Sequence, residues 1–194
     1  MSDNVRISLA ALLFTLFVVL TMISLITPAE ATDYVGNHVK IPTVHGTPPQ
    51  VATWNRAPKI LVCQHAPISM VQAHSAKRFW ERLGYEFQGV SKAGIVGDEC
   101  KSDSPKGYIL IHLVTKGVKL EETSLAQTRF YVDNLSNTIQ WAVIYLRPDV
   151  RERILEHEIG HALGFLHFNE MSHIMNEKWT IGGWDTEGLD NRRK

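Results

Sequence analysis

Apolar residues recur with two different periods along residues 58–194. These periods predict a helix between the first two strands, then several strands, then a final helix. A near-helical spacing of apolar residues predicts a helix over residues 68–83, with Gly84 as its stop. A second helix is predicted after Asp149, which forms a D-x-x-E capping box with Glu152. Short β-rich runs predict five strands, at residues 59–63, 85–90, 107–114, 124–128 and 139–146. The pattern therefore predicts one α+β domain.

Residues 1–57 have a different pattern. An apolar run covers residues 9–26, with Arg6 ahead of it and the small residues of Ala29-Glu30-Ala31 behind it. This order is typical of a secretory signal peptide, so we predict export and cleavage after Ala31. The run is also long enough to be retained as a membrane anchor, which is the alternative, and both place the domain outside the cytoplasm. The proline-rich residues 32–57 are predicted to form an extended leader.

A dense group of histidines marks the second predicted helix, which carries the run His157-Glu158-Ile159-Gly160-His161. Residues four apart on a helix share a face, so the two imidazoles of this run would point in one direction. Gly164 can end the helix in a left-handed conformation, after which His167 can supply a third imidazole. Three imidazoles with one open position form a catalytic zinc site, and Glu158 is placed to act on its water.

The long histidine motif and the methionine that follows it resemble the metzincin metallopeptidases. Met175 lies eight positions after His167, the spacing of the matrixins, in which this methionine forms an apolar floor below the metal without binding it. The resemblance implies a metzincin-like zincin with a twisted mixed sheet, two main helices and a minimal C-terminal subdomain after a Met-turn. The sequence departs from matrixins because no Tyr stands two residues after Met175 and because its C-terminal tail is short.

The same resemblance implies a secreted or periplasmic zinc endopeptidase that hydrolyses protein or peptide substrates. Its single catalytic Zn²⁺ would be bound by His157, His161 and His167, with Glu158 as the general base. The strand before the last one would pair its free edge with an extended substrate, which assigns Leu125, Ala126 and Gln127 to that edge.

Two alternatives to a secreted peptidase stay open. One is an exported binding or interaction module that holds zinc without proteolytic activity, and the other is a membrane-anchored processing peptidase. Protonated imidazole cannot bind a metal, so acid is expected to release zinc below about pH 6 if the histidines have their ordinary pKa.

Composition changes this interpretation little. The chain has 20 basic and 20 acidic residues, so its zero net charge gives no reason to expect nucleic acid or an anionic membrane as a partner. Membrane contact is expected only if residues 9–26 are retained, and the oligomeric state is not predicted.

The two cysteines, Cys63 and Cys100, fit an exported chain, in which a disulfide between them would contribute on the order of 3–4 kcal/mol. Two free buried thiols are the alternative, and a cysteine that blocks the zinc is a third. His112, in the predicted strand 107–114, is interpreted as a core histidine in preference to a metal ligand.

Overall fold

The computed structural model describes residues 46–93, 99–101, 105–115, 117–118, 120, 122–133 and 135–192. The expected signal segment, its cleavage site and most of the expected leader lie outside these residues. Within the described part of the chain, no helix has both the length and the hydrophobicity that crossing a bilayer requires.

A six-stranded, mostly parallel sheet forms the centre of the fold. Its strands are β1 (Thr53–Trp54), β2 (Lys59–Val62), β3 (Gly89–Lys92), β4 (Tyr108–Leu113), β5 (Ala126–Asp133) and β6 (Thr138–Leu146). The parallel strands lie in the order β1-β6-β4-β2-β3, with β1 and β4 paired to different ends of β6. β5 runs antiparallel to β6, from Ala126 opposite Leu146 to Asp133 opposite Thr138. Among the described strands β5 pairs with β6 alone, so its outer edge has no strand beside it.

Within the described residues, two α-helices complete the α+β fold, as predicted. Helix α1 spans Met70–Arg82 and begins in a capping box, where Ser69 Oγ accepts from the Gln72 N–H at 3.2 Å and Gln72 Oε1 accepts from the Ser69 N–H at 2.8 Å. Helix α2 spans Ile154–Ala162 and comes after all six strands. The helices pack against each other and against the sheet, where they share its main hydrophobic core.

Alternation along the strands divides the buried apolar side chains between the two faces of the sheet. Side chains on the helix-covered face include Ile60, Val62, Ile109, Ile111 and Ile144. The opposite face carries a smaller buried cluster of Leu61, Cys63, Leu110 and Val143. There the Cys63–Cys100 disulfide, with its Cα atoms 5.9 Å apart, ties the end of β2 to the 3₁₀ turn Glu99–Lys101. The predicted disulfide is therefore confirmed.

The packed domain begins before residue 58, which corrects the expected boundary between leader and domain. Val51 and Ala52 are buried, and the Val51 N–H donates to the Gly164 carbonyl at 2.9 Å. Two residues later β1 pairs with β6, and Trp54 Nε1 donates to the Ala162 carbonyl at 2.8 Å. The hydrogen bonds of Val51 and Trp54 join residues more than 100 positions apart in sequence. The proline-rich composition of residues 32–57 is a local property and could not predict them.

Helix α2 also begins later than predicted, because the expected Asp149–Glu152 capping box is replaced by long-range contacts of Arg153. Arg153 occupies the position before the helix in a left-handed conformation, with φ of 69°, and no side chain caps that end. Its guanidinium donates to the carbonyls of Gly182 and Trp179 and lies 5.1 Å from the centre of the Trp179 ring. The segment after Met175 therefore determines where this helix starts.

Two predicted strands differ in their bounds. The strand predicted at residues 85–90 forms later, as β3, and the strand predicted at 124–128 begins at Ala126 and continues to Asp133. Leu125 therefore lies just before the edge strand to which it was assigned. The strands predicted at 59–63, 107–114 and 139–146 are confirmed to within one residue at either end.

Candidate metal centre

A tight turn at Gly164 returns the chain towards helix α2. The Gly164 N–H donates to the His161 carbonyl at 2.8 Å and the Phe165 N–H donates to the Gly160 carbonyl at 3.1 Å, a pair of bonds that forms a Schellman motif. Gly164 has a φ of +93°, and a Cβ built on it would lie 2.1 Å from the Ala52 carbonyl oxygen. The predicted left-handed conformation of Gly164 is thus confirmed. Only glycine fits at this position, because the backbone of Ala52 packs against it.

The structure brings the three predicted histidines together. One ring nitrogen from each of His157, His161 and His167 lies within 4.8 Å of the others. The first two are buried on α2, with their Nε2 atoms 3.0 Å apart, while His167 is partly exposed after the turn. The His167 ring centre lies 5.4 Å from that of His157 and 4.7 Å from that of His161. These three side chains form a group that could bind a metal ion.

Backbone carbonyls determine which ring nitrogens face that group. His157 Nδ1 lies 2.7 Å from the Ile174 carbonyl, and His161 Nδ1 lies 2.7 Å from the Phe165 carbonyl. A carbonyl only accepts, so each Nδ1 carries the proton and each neutral ring presents a bare Nε2 lone pair. Two lone pairs 3.0 Å apart repel each other unless a cation or proton lies between them. Such outer carbonyls are the usual partners of histidines that bind metals, so the donor set fits a metal ion.

Burial keeps these two rings neutral. Loss of solvent, followed by the nearby His167, lowers the pKa of His157 to about 3, and burial also holds the pKa of His161 well below its ordinary value. A proton therefore competes for His157 only in strong acid. The sequence-based expectation of zinc release below about pH 6 assumed an ordinary histidine pKa. The lowered pKa of His157 moves the expected release to a lower pH.

Acid is expected to act on this centre between the unfolded and folded pKa values of its histidines. The unfolded chain binds protons at these rings from about pH 6.5 downward, whereas folded His157 binds one only near pH 3, so acid favours unfolding across that window. We expect metal to be retained at pH 6 and lost between pH 5 and about pH 3. Metal content after equilibrium dialysis, followed with far-ultraviolet circular dichroism, measures this. Half-release at or above pH 6.5 would contradict the buried geometry.

Glu158 lies beside the histidines with its carboxylate fixed. The side chain is fully buried, and its Oε2 accepts a 2.6 Å hydrogen bond from Thr128 Oγ1 on β5. Thr128 is itself fully buried and also lies 3.2 Å from the Glu158 carbonyl oxygen. The edge strand therefore holds the carboxylate in place, a role for Thr128 that the sequence pattern did not indicate.

Met175 packs directly against α2. It is fully buried, and a Cβ on Gly160, between the two helical histidines, would lie 2.4 Å from its Sδ and 2.8 Å from Trp80 Cζ2. The absence of a side chain at Gly160 is what allows this close contact.

Replacing Gly160 with Ala is expected to destabilise the protein by about 1–3 kcal/mol, as overpacking of a core does. Alanine is the better helix former by about 1 kcal/mol, but that gain is smaller than the cost of displacing Met175 and the rigid Trp80 ring. Thermal and urea unfolding measure the change. The control is Gly117→Ala, where a Cβ meets no atom within 4 Å. Equal stability of the two variants would show that Met175 does not pack against the helix as described.

His173 supports the turn around Met175. It is fully buried, its Nδ1 accepts from the Met175 N–H at 3.0 Å, and its Nε2 lies 3.1 Å from the Glu187 carbonyl. The sequence pattern gave no role to His173, since only its closeness to the methionine distinguished it. The same segment provides the Ile174 carbonyl that orients His157.

The segment assigned to the substrate edge lies at the start of β5, near α2. Leu125, Ala126 and Gln127 are all buried, and Thr128 follows them with its bond to Glu158. This burial includes the backbone, so the structure does not expose residues 125–127 to an incoming strand.

Comparison with known proteins assigns no family, since no family model and no curated protein matches the chain. Three imidazoles suit several divalent transition metals, so the group could bind a metal without defining which one.

Proposed function

We propose that this protein is an exported zinc endopeptidase of the metzincin type, most similar to the matrixins. The observation that carries the proposal is the pair of Nδ1–carbonyl bonds that turns His157 Nε2 and His161 Nε2 to one point, within reach of His167. The buried carboxylate of Glu158 follows His157 directly on the same helix. A histidine triad with an adjacent fixed carboxylate is the composition of a catalytic zinc site.

The three histidines hold the ion in this proposal, and the carbonyls of Ile174 and Phe165 keep their rings in the required tautomer. A bound Zn²⁺ would supply Lewis acidity, which lowers the pKa of a water and polarises a peptide carbonyl. Met175 and Gly160 provide a tightly packed, apolar support below the helical histidines. This support fixes the ligands on a rigid element, where their positions are better defined than on a loop.

Glu158 acts as the general base in this proposal. Its carboxylate accepts the proton of the attacking water and returns it to the nitrogen of the leaving amine. The Thr128 hydroxyl binds Oε2 at 2.6 Å and so fixes the orientation of the carboxylate. Thr128 is thus a positioning residue for the base.

The outer edge of β5 receives the substrate in this proposal. An extended peptide would add to the sheet as a further strand, with its backbone paired to that of residues 125–127 once the groups that bury them move aside. The hydrogen bond between Thr128 and Glu158 brings this edge close to the base. Backbone pairing does not distinguish one substrate sequence from another. Pockets that bind substrate side chains would therefore decide which peptide bond is cleaved.

A chelation experiment tests the proposed activity. The mature chain is expected to hydrolyse casein or a mixed peptide library, to lose this activity with o-phenanthroline, and to regain it when zinc is restored. Cleavage that survives metal removal, or a zinc-loaded protein that cleaves nothing, would contradict the proposal.

The alternative is an exported zinc-holding interaction module without proteolytic activity. The observation in its favour is that Glu158 is completely buried, so water can reach the carboxylate only if neighbouring groups move. Stoichiometric zinc without cleavage in the chelation experiment would favour this function.

A further inference from the structure

A second group of metal-ligating side chains lies on the opposite face of the sheet from the helices. The sulfur atoms of Cys63 and Cys100 and one ring nitrogen of His112 all lie within 4.8 Å of one another. His112 Nε2 lies 3.2 Å from Cys63 Sγ, closer than packing alone requires. The two cysteines form a disulfide in this structure, so the imidazole faces an oxidised sulfur pair.

The backbone holds two of these three residues rigidly. His112 belongs to β4, and Cys63 directly follows β2, which pairs in parallel with β4. The Cys63 N–H donates to the Ile111 carbonyl at 3.0 Å, so the two side chains are neighbours on adjacent strands. Cys100, in the 3₁₀ turn, reaches them from outside the sheet.

The group borders an open cavity of about 400 Å³, lined by both cysteines and His112. His65 and Lys101 lie around the same cavity. The cavity gives a reductant, a metal ion and solvent access to the half-buried Cys100 and His112, whereas Cys63 itself is buried. A ligand water from the cavity could complete a four-coordinate site.

We propose that Cys63, Cys100 and His112 form a redox-gated metal site, in which reduction of the disulfide creates a ligand set for a divalent ion such as Zn²⁺. A dithiol reductant donates two electrons and two protons, so the Sγ–Sγ bond breaks, two thiols form, and the reductant closes its own disulfide. Metal binding then releases the two thiol protons to solvent and leaves two thiolates and one imidazole on the ion.

The separations suit this coordination. At Zn–S distances of about 2.3 Å, two thiolates in a tetrahedral site lie about 3.8 Å apart, so the sulfurs must separate from bonding distance after reduction. The cysteine Cα atoms are 5.9 Å apart, and the imidazole is already beside one sulfur. The link between β2 and the 3₁₀ turn would be covalent under oxidising conditions and metal-mediated under reducing ones.

Cobalt spectroscopy separates this site from the histidine triad, because only thiolate ligands produce a sulfur-to-cobalt charge-transfer band in the near ultraviolet. The full mature chain is reduced, freed of reductant under argon and titrated with Co²⁺, beside an oxidised sample of the same preparation. We expect the band and a second bound ion only in the reduced sample. The bound metal should also protect both thiols from iodoacetamide, measured by mass spectrometry.

Two variants define the imidazole ligand. His112→Ala is expected to weaken Co²⁺ binding in the reduced protein by at least about tenfold, since even outer partners of a metal site contribute that much. His74→Ala, at an exposed position on α1, is the matched control and should bind as the wild type does.

Three results would overturn the proposal. The first is a reduced, folded protein without the band at stoichiometric Co²⁺, and the second is His112→Ala with unchanged affinity. The third is a reduced chain that unfolds even with Co²⁺ present, because the metal is expected to replace the covalent link.

Discussion

Glu158→Gln is expected to lower kcat/KM for peptide hydrolysis by about 10²–10⁴-fold, the usual contribution of a general base, while zinc stays bound. Glutamine has nearly the same shape as glutamate, and its amide oxygen can still accept the hydrogen bond that Thr128 Oγ1 makes to Oε2. It cannot accept a proton at neutral pH, so the loss falls on the chemical step. Rates on a fluorogenic peptide and metal content by mass spectrometry measure the two effects separately.

Glu156→Gln is the matched control for this variant. Glu156 lies two residues earlier on α2, is partly buried, and is not among the residues assigned to the metal centre. Its substitution should leave both rate and zinc content near those of the wild type. A Glu158→Gln protein with wild-type activity would remove Glu158 from its proposed role, and loss of zinc would show that the carboxylate serves to hold the metal centre together.

His161→Ala is expected to weaken zinc binding by more than about 100-fold, beyond the 10–100-fold effect of outer partners, and to abolish hydrolysis with it. The substitution removes one of two buried ligands. It also leaves the Phe165 carbonyl without the Nδ1–H that it accepts, which costs about 1–3 kcal/mol. Competition with a chromophoric chelator measures affinity, and circular dichroism shows whether the chain is folded.

His74→Ala again provides the control, because it removes the same ring from an exposed helical position. Tight zinc binding by a folded His161→Ala protein would show that this ring is not a ligand. Loss of zinc with the fold intact would support the histidine triad.

Features with local causes were predictable from sequence. The apolar spacing over residues 68–83 and the stop at Gly84 predicted α1, because a helix that packs on a sheet needs one apolar face. The i, i+4 relation of His157 and His161 predicted their shared direction, and Gly164 predicted the turn that returns His167. Each of these follows from backbone geometry within a few residues.

Features with distant causes were not predictable. Asp149 and Glu152 have the residue types of a capping box, yet Arg153 binds the carbonyls of Gly182 and Trp179, and the helix starts where that contact places it. Thr128 appeared only as part of a short strand, since its bond to Glu158 spans 30 residues. Hydrogen-bond partners that are distant in sequence depend on how the helices and strands pack together. The spacing of apolar residues along the chain does not predict that packing.

The N-terminal segment that joins the end of α2 makes the metal centre dependent on where the chain is cut. The hydrogen bonds that connect the two include Val51 N–H to the Gly164 carbonyl, Leu166 N–H to the Pro49 carbonyl, Gln50 Nε2 to the Leu163 carbonyl and Trp54 Nε1 to the Ala162 carbonyl. They fix the turn that carries the carbonyl partner of His161 and delivers His167. Removal of residues 49–54 is therefore expected to loosen this turn and weaken metal binding by the histidines, so recombinant versions need to start upstream of residue 49.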